Sequence, residues 1–288
     1  MLREYIRRGY RTLLPLLYAR RNYKFFMAGS FADLDNRIRR QVLASNMLNA
    51  VLRPILIPPP FGKKVLVIAP HQDDEAIGCG GAVLAHLNAG GHARTVVVQD
   101  GCGAEHALGM TREELMNIRE RESMECARRM GCDEPEFLRF PAVDGQTAGR
   151  VADRLSAVLK VYAPDAIFAP SVLDNNLEHA YTAKALAMAL EATPVKAQVY
   201  SYEVWGLCIP STAVNIDRFI DGKMDLIACF ASQTRNNDYA HAFRGLAMYH
   251  ALQFGAVDVR HVERFFAQPA DEYVGFVHSV MTERADYV

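Results

Sequence analysis

Two short segments concentrate the residue types that do chemistry. Ala69-Pro70-His71-Gln72-Asp73-Asp74-Glu75 sets one histidine and three consecutive acids directly after an apolar run. Ser171-Val172-Leu173-Asp174-Asn175-Asn176-Leu177-Glu178-His179 sets acids, amides and a second histidine after another. Adjacent carboxylates repel one another unless a positive charge sits among them, and a divalent ion is an economical source of it. His71 and Asp74, on a tight loop entering a helix, can point into one site, and His179 can supply a third donor across the sheet edge. Two imidazoles and a carboxylate with one open position suit catalytic Zn²⁺, and the same donors suit Fe²⁺. Asp73 then faces the open position. The competing reading is a solvated helix N-terminus whose acids the helix dipole stabilises. On spacing alone both stand.

For His71 and His179 to meet, two strand exits must be neighbours. Residues 64–69 form a short apolar, β-branched run, as expected of a strand buried on both faces. A helical pattern follows through Ala82, Val83, Leu84 and Leu87 and closes at Gly90-Gly91. Residues 95–99 read as a second strand, and Thr111-Arg112-Glu113-Glu114 is a capping box for a long helix ending at Gly131. Strands are expected at 136–140, 166–169 and 199–205, with helices at 151–163 and 179–191, and helices dominate thereafter. Such alternation predicts an α/β fold: a Rossmann-like, mostly parallel sheet with helices on both faces. Sites in these folds gather at the carboxyl ends of the strands, where both segments lie.

The chain has 288 residues, 50% hydrophobic and 23% charged, which excludes disorder, collagen-like repeats and coiled coil as its main organisation. Its six cysteines form no CxxC pair, which points to a reduced, cytoplasmic protein. Charge is uneven: residues 1–64 carry 13 Lys/Arg against three acids, the remainder 19 against 30, for nets of +10 and −11. Residues 1–60 read as a basic helical extension, and Pro54, Pro58, Pro59 and Pro60 separate it from a domain over 61–288. No apolar run reaches the ~18–20 residues of a membrane span. The extension either rests on an anionic membrane surface, a peripheral contact, or packs on the acidic domain. Nucleic acid is not expected, because no recognition module accompanies the charge.

With Gly78-Cys79-Gly80-Gly81 behind it, the first segment resembles the signature of the PIG-L/LmbE-like N-acetylglucosaminyl deacetylases. The similarity runs through much of 64–265, taking in Asp100-Gly101, Arg119, Glu122, Asp144-Gly145, Pro164-Asp165, Tyr202-Glu203-Val204-Trp205, Lys223 and Gln233. The resemblance implies a metal held at His71, Asp74 and His179, where water is activated against the acetamide carbonyl of an N-acetylated sugar. It implies Asp73 as general base, and a free amine and acetate as products. One position departs from the family pattern. Where the second motif commonly carries a histidine, this chain has Asn176, which can hydrogen-bond an oxyanion but cannot deliver a proton. Asp73 then performs both transfers, or His106 or His241 reaches in, or activity is weakened.

Arg119 either contacts substrate or pairs with Glu122 on its helix, and Asp144 either binds sugar hydroxyls or shapes a turn with Gly145. His86, His92, His250, His261 and His278 read as surface or packing residues. Gly78 to Gly81 lacks G-x-G-x-x-G spacing, and the acids before it would repel a pyrophosphate. The function expected is removal of an acetyl group from a GlcNAc-type glycolipid or glycan intermediate. The alternatives are a sugar-binding scaffold that has lost catalysis, or an amide hydrolase for a non-glycan conjugate.

Overall fold

The computed structural model describes residues 54–103, 109–206, 210–234, 237–255 and 258–285, with side chains to residue 282. Cα proximity divides the chain into Met1–Leu48 and Asn49–Val288, and every described residue belongs to the second unit. The basic extension expected over 1–60 therefore lies outside the described residues as far as residue 53. No helix among the described residues is long and apolar enough to cross a membrane.

The strands are β1 (Ile55–Leu56), β2 (Lys64–Ala69), β3 (His92–Gln99), β4 (Glu136–Phe140), β5 (Ala166–Pro170), β6 (Gln198–Tyr202), β7 (Thr212–Asn215) and β8 (Val262–Pro269). The helices are α1 (Asp74–Asn88), α2 (Arg112–Met130), α3 (Ala148–Tyr162), α4 (Leu177–Ala192), α5 (Ile220–Ile227), α6 (Ala231–Thr234), α7 (Tyr239–Ala251) and α8 (Ala270–Ala285). They build one eight-stranded sheet in the order β1-β7-β8-β6-β5-β2-β3-β4. All pairings are parallel except the two made by β8.

Burial explains the strands. Leu66 and Ile68 of β2 join a core with Leu155, Leu159, Leu186 and Tyr273, whereas Val65 and Val67 join another with Ile77, Val83, Cys126 and Ile227. Alternate residues thus face opposite helical layers, α3, α4 and α8 on one side and α1, α2 and α5 on the other. The capping box on α2 forms as expected: Thr111 and Glu114 satisfy each other's backbone amides, and Gly131 closes the helix at φ 83°.

Three expectations need correction. The proline-rich stretch contributes β1, because the backbone of residues 55–57 pairs with the segment Ser211–Ala213. The strand expected over 199–205 stops at Tyr202. Helices do not simply take over afterwards, since β7 and β8 lie beyond it. β8 carries adjacent charges, Glu263 and Arg264, which disguise it as surface. Both are buried and paired, Glu263 with Lys223 and Arg264 with Glu203.

The site-bearing end of α1 is set by close packing. Tyr202 donates its hydroxyl to the carbonyl of Ile68 at 2.8 Å, and its ring lies so near Gly78 that a Cβ there would stand 2.3 Å from Cδ2. Farther along, the amides of Gly81 and Ala82 donate to Glu263 at 2.9 and 2.7 Å, and Lys223 Nζ donates to the carbonyl of Ile77 at 2.7 Å. A side chain at Gly81 would meet Ile216 at 2.9 Å. The glycine-rich run is a packing requirement.

Candidate metal centre

β2 is flanked by β3 on one side and β5 on the other, and the chain passes outward to β4 before returning to β5. The crevice at the carboxyl ends of β2 and β5 is therefore a topological switch point. His71 leaves β2, Asp74 opens α1, and His179 lies in the first turn of α4 after β5.

The three come together. Asp74 Oδ2 lies 3.3 Å from His71 Nδ1 and 3.3 Å from His179 Nε2, and the imidazole centroids are 5.3 Å apart. Their donor atoms all fall within 4.8 Å of one another. Metal–ligand bonds of ~2.0–2.2 Å in tetrahedral geometry set donors ~3.4 Å apart, so the two 3.3 Å separations fit a shared ion. The His179 side chain is 0% exposed, and its ring nitrogens make no well-formed hydrogen bond even though Asp74 and Asp174 lie 3.3 and 3.5 Å from them. Orphaned buried nitrogens are costly, and facing a cation would satisfy one of them. The solvated-helix reading fails because Asp74 and Glu75 are both 2% exposed.

Each histidine is backed by a second carboxylate. His71 Nε2 is 3.0 Å from Glu178 Oε2 and 3.0 Å from Gln99 Nε2. His179 Nδ1 is 3.5 Å from Asp174 Oδ2, which also accepts from the amide of Trp205 at 3.1 Å. Carboxylates placed behind metal-ligating histidines orient the rings and raise their basicity. Burial alone would lower the His71 pKa, but hydrogen bonds to Asp74 and Glu178 carry it up to about 10. Burial would raise Asp74, yet the His179 and His71 charges and hydrogen bonds hold it below its usual range. The hydrogen bond from His71 likewise holds Glu178 down.

Asp73 stands at the head of α1 with φ 117° and ψ −29° and makes no side-chain capping bond. A positive φ at a non-glycine residue costs ~1–3 kcal/mol and is held by its surroundings. Here the Asp73 amide donates to Glu75 Oε2 at 2.9 Å, while Ser123 donates to Glu75 Oε1 at 2.7 Å. The twist frees the Asp73 carboxylate from the helix end. Burial, then the charges of Asp74 and Glu75, raise its pKa well above the ordinary value, with His71 and Arg119 opposing.

Other expected residues divide. Asn176 is the N-cap of α4, its Oδ1 accepting from Glu178 N at 2.9 Å, which leaves its amide NH₂ as the group able to donate elsewhere. Arg119 is buried and not paired with Glu122, which instead receives Ser232 N and Oγ at 2.8 and 2.6 Å. Its pKa is lowered by burial, opposed first by the charge of Asp73. Asp144 is absorbed by its own turn: Oδ1 accepts from Gln146 N, Thr147 N and Thr147 Oγ1. His106 lies outside the described residues, and His241 is exposed in the first turn of α7. His86 is a packing residue, bonded to the Phe61 amide and the His92 carbonyl. Asp174, Glu178 and Gln99 carry no assigned role in the sequence alone; Gln99 ends β3, Asp174 follows β5, and Glu178 lies in the first turn of α4 beside His179.

Residues 66–190 match the model of the family described as PIG-L: GlcNAc-PI de-N-acetylase. Among solved structures, N,N'-diacetylchitobiose deacetylase from Pyrococcus horikoshii shares 23% identity at a TM-score of 0.65, over 84% of this chain and 96% of that one. GalB, the 4-carboxy-2-hydroxymuconate hydratase of Pseudomonas putida KT2440, shares 22% at 0.56, over 71% and 95%. The zinc-inhibited form of teicoplanin deacetylase shares 14% at 0.57, over 72% and 99%. These likenesses establish the fold, which evidently carries more than one chemistry.

Proposed function

From the match of residues 66–190 to the PIG-L family model, we propose that the protein is a metal-dependent deacetylase that hydrolyses the acetamide of an N-acetylated sugar. The observation that carries this reading is the pair of imidazoles converging at 3.3 Å on one oxygen of Asp74, beside a carboxylate, Asp73, that is not committed to a cap.

His71 Nδ1, Asp74 Oδ2 and His179 Nε2 are the atoms that would hold Zn²⁺, with Fe²⁺ as the alternative. Bound there, the ion supplies Lewis acidity, lowering the pKa of water toward ~7 and polarising a carbonyl. The chain's own groups do the rest. Asp73 takes a proton from water as its oxygen bonds to the acetamide carbon. Asp73 then returns that proton to nitrogen as the C–N bond breaks, giving acetate and a free amine. This single-residue shuttle accommodates Asn176, whose NH₂ can donate to the developing oxyanion but cannot protonate an amine. Arg119 stabilises the Asp73 carboxylate in its base form.

The neighbouring chitobiose deacetylase gives this sugar reading its fold-level support. The test is elemental analysis of the purified chain with acetate release from N-acetylglucosamine and N,N'-diacetylchitobiose. We expect close to one equivalent of divalent metal and measurable acetate. Protein that stays below ~0.1 equivalent after incubation with Zn²⁺ or Fe²⁺ sinks the metal centre. Metal uptake without acetate from either sugar sinks the substrate class.

A further inference from the structure

The loop leaving β6, hydrogen-bonded to Asp174 and Asn175 beyond the end of β5, carries an aromatic side chain that the hydrolytic machinery does not use. Trp205, the one tryptophan of the chain, is 50% exposed on the loop leaving β6. Its position is fixed with unusual care for an exposed residue. The Trp205 amide donates to Asp174 Oδ2 at 3.1 Å, the carboxylate behind His179, and its carbonyl accepts from Asn175 Nδ2 at 3.0 Å. The next residue, Gly206, is pressed so close that a Cβ would stand 3.1 Å from Asn175 N. The ring itself is braced edge-on by Tyr239, with centroids 6.0 Å apart and planes at 75°. Leu177, which opens the helix bearing His179, is 48% exposed.

We propose that Trp205, braced by Tyr239, is a stacking platform for the apolar face of a pyranose ring of the substrate. An indole offers a large rigid apolar surface at small entropic cost, and the axial C–H groups of a pyranose present a matching face. The inference rests on the sugar-deacetylase reading and deepens it, making Trp205 a specificity residue for carbohydrate over other acetamides. Anchoring through Asp174 joins the platform to the same carboxylate that orients His179, so ring and acetamide are registered against each other.

Because the chain has one tryptophan, intrinsic fluorescence reports the platform directly. The full-length, zinc-loaded protein is titrated with N,N'-diacetylchitobiose while acetate release is measured in parallel. We expect a saturable change in indole emission, a loss of about tenfold in affinity in Trp205→Ala, carried by KM more than by kcat, and substantial recovery in Trp205→Phe. Circular dichroism and melting of both variants check that the fold persists. Acetate release with unmoved emission, or a folded Trp205→Ala with unchanged KM, overturns the platform and leaves the deacetylase reading intact. An emission change without acetate keeps the platform and overturns the reaction, with Trp205→Ala then judged by calorimetric affinity. Neither signal overturns both.

Discussion

Asp174 Oδ2 lies 3.5 Å from Nδ1 of His179, with both side chains wholly buried. In the proposed centre this carboxylate is a supporting group rather than a ligand, since Asp74 lies on the other side of the ring at 3.3 Å. Asp174→Asn keeps the shape and removes the charge. The expected outcome is a drop in metal affinity of about 10–100-fold, read by chelator competition. Glu178→Gln, behind His71, should act in the same direction. Unchanged affinity in both variants would show that the carboxylates play no part in orienting the rings.

Asp73→Asn should remove turnover while leaving metal content near that of the parent. General-base contributions are ~10²–10⁴-fold, and here one residue is assigned both proton transfers, so the loss should reach the upper part of that range. Acetate release at single-turnover enzyme concentrations, with elemental analysis of the same sample, checks it. A variant within tenfold of the parent places the base elsewhere.

Gly78→Ala should destabilise the fold. The added Cβ would stand 2.3 Å from the Tyr202 ring, which is fixed by its hydroxyl bond to the Ile68 carbonyl and cannot swing away freely. Overpacking of this kind costs ~1–3 kcal/mol, measurable by denaturant unfolding. Adding Tyr202→Leu should recover part of the loss if the clash is its cause.

His250 is expected to give the fold an acid sensitivity. It is buried, 2.8 Å from Glu203, with Arg264 and Lys223 also facing it. Burial pushes its pKa below the ordinary 6.5, outweighing the hydrogen bond to Glu203. The folded chain therefore binds this proton less readily than the unfolded chain, and stability should fall as pH drops through 6.5 toward 5. Denaturant midpoints at pH 7 and pH 5 should differ less in His250→Asn than in the parent. An equal difference would show that His250 contributes nothing to the slope.

Local patterns made most of the sheet legible in the sequence. The apolar runs of β2, β3 and β5 and the capping box of α2 state their structures through neighbours in the chain. β8 did not, because Glu263 and Arg264 are matched by Lys223, the Gly81 and Ala82 amides and Glu203, which are remote in sequence. The site divided in the same way. His71, Asp74 and His179 were legible from residue type and strand exit, and the fold brings their side chains together. The backing carboxylates Asp174 and Glu178 were not, since a second acid beside a histidine acquires meaning only once the rings are oriented. Asp144, by sequence equally a sugar ligand or a turn residue, makes three short-range hydrogen bonds within its own turn.

The grip of Glu263 and Lys223 on the middle of α1 bears on where this domain can be cut. The family match ends at residue 190, yet the helix that presents Asp74 is clasped by two residues contributed long after that point. A fragment trimmed to the matched stretch would lose β6 and β8 together with this clasp, exposing the amides of Gly81 and Ala82 and the Gly78 face that Tyr202 covers. The recognisable motif and the compact unit are therefore different lengths of chain, and expression designs should follow the latter.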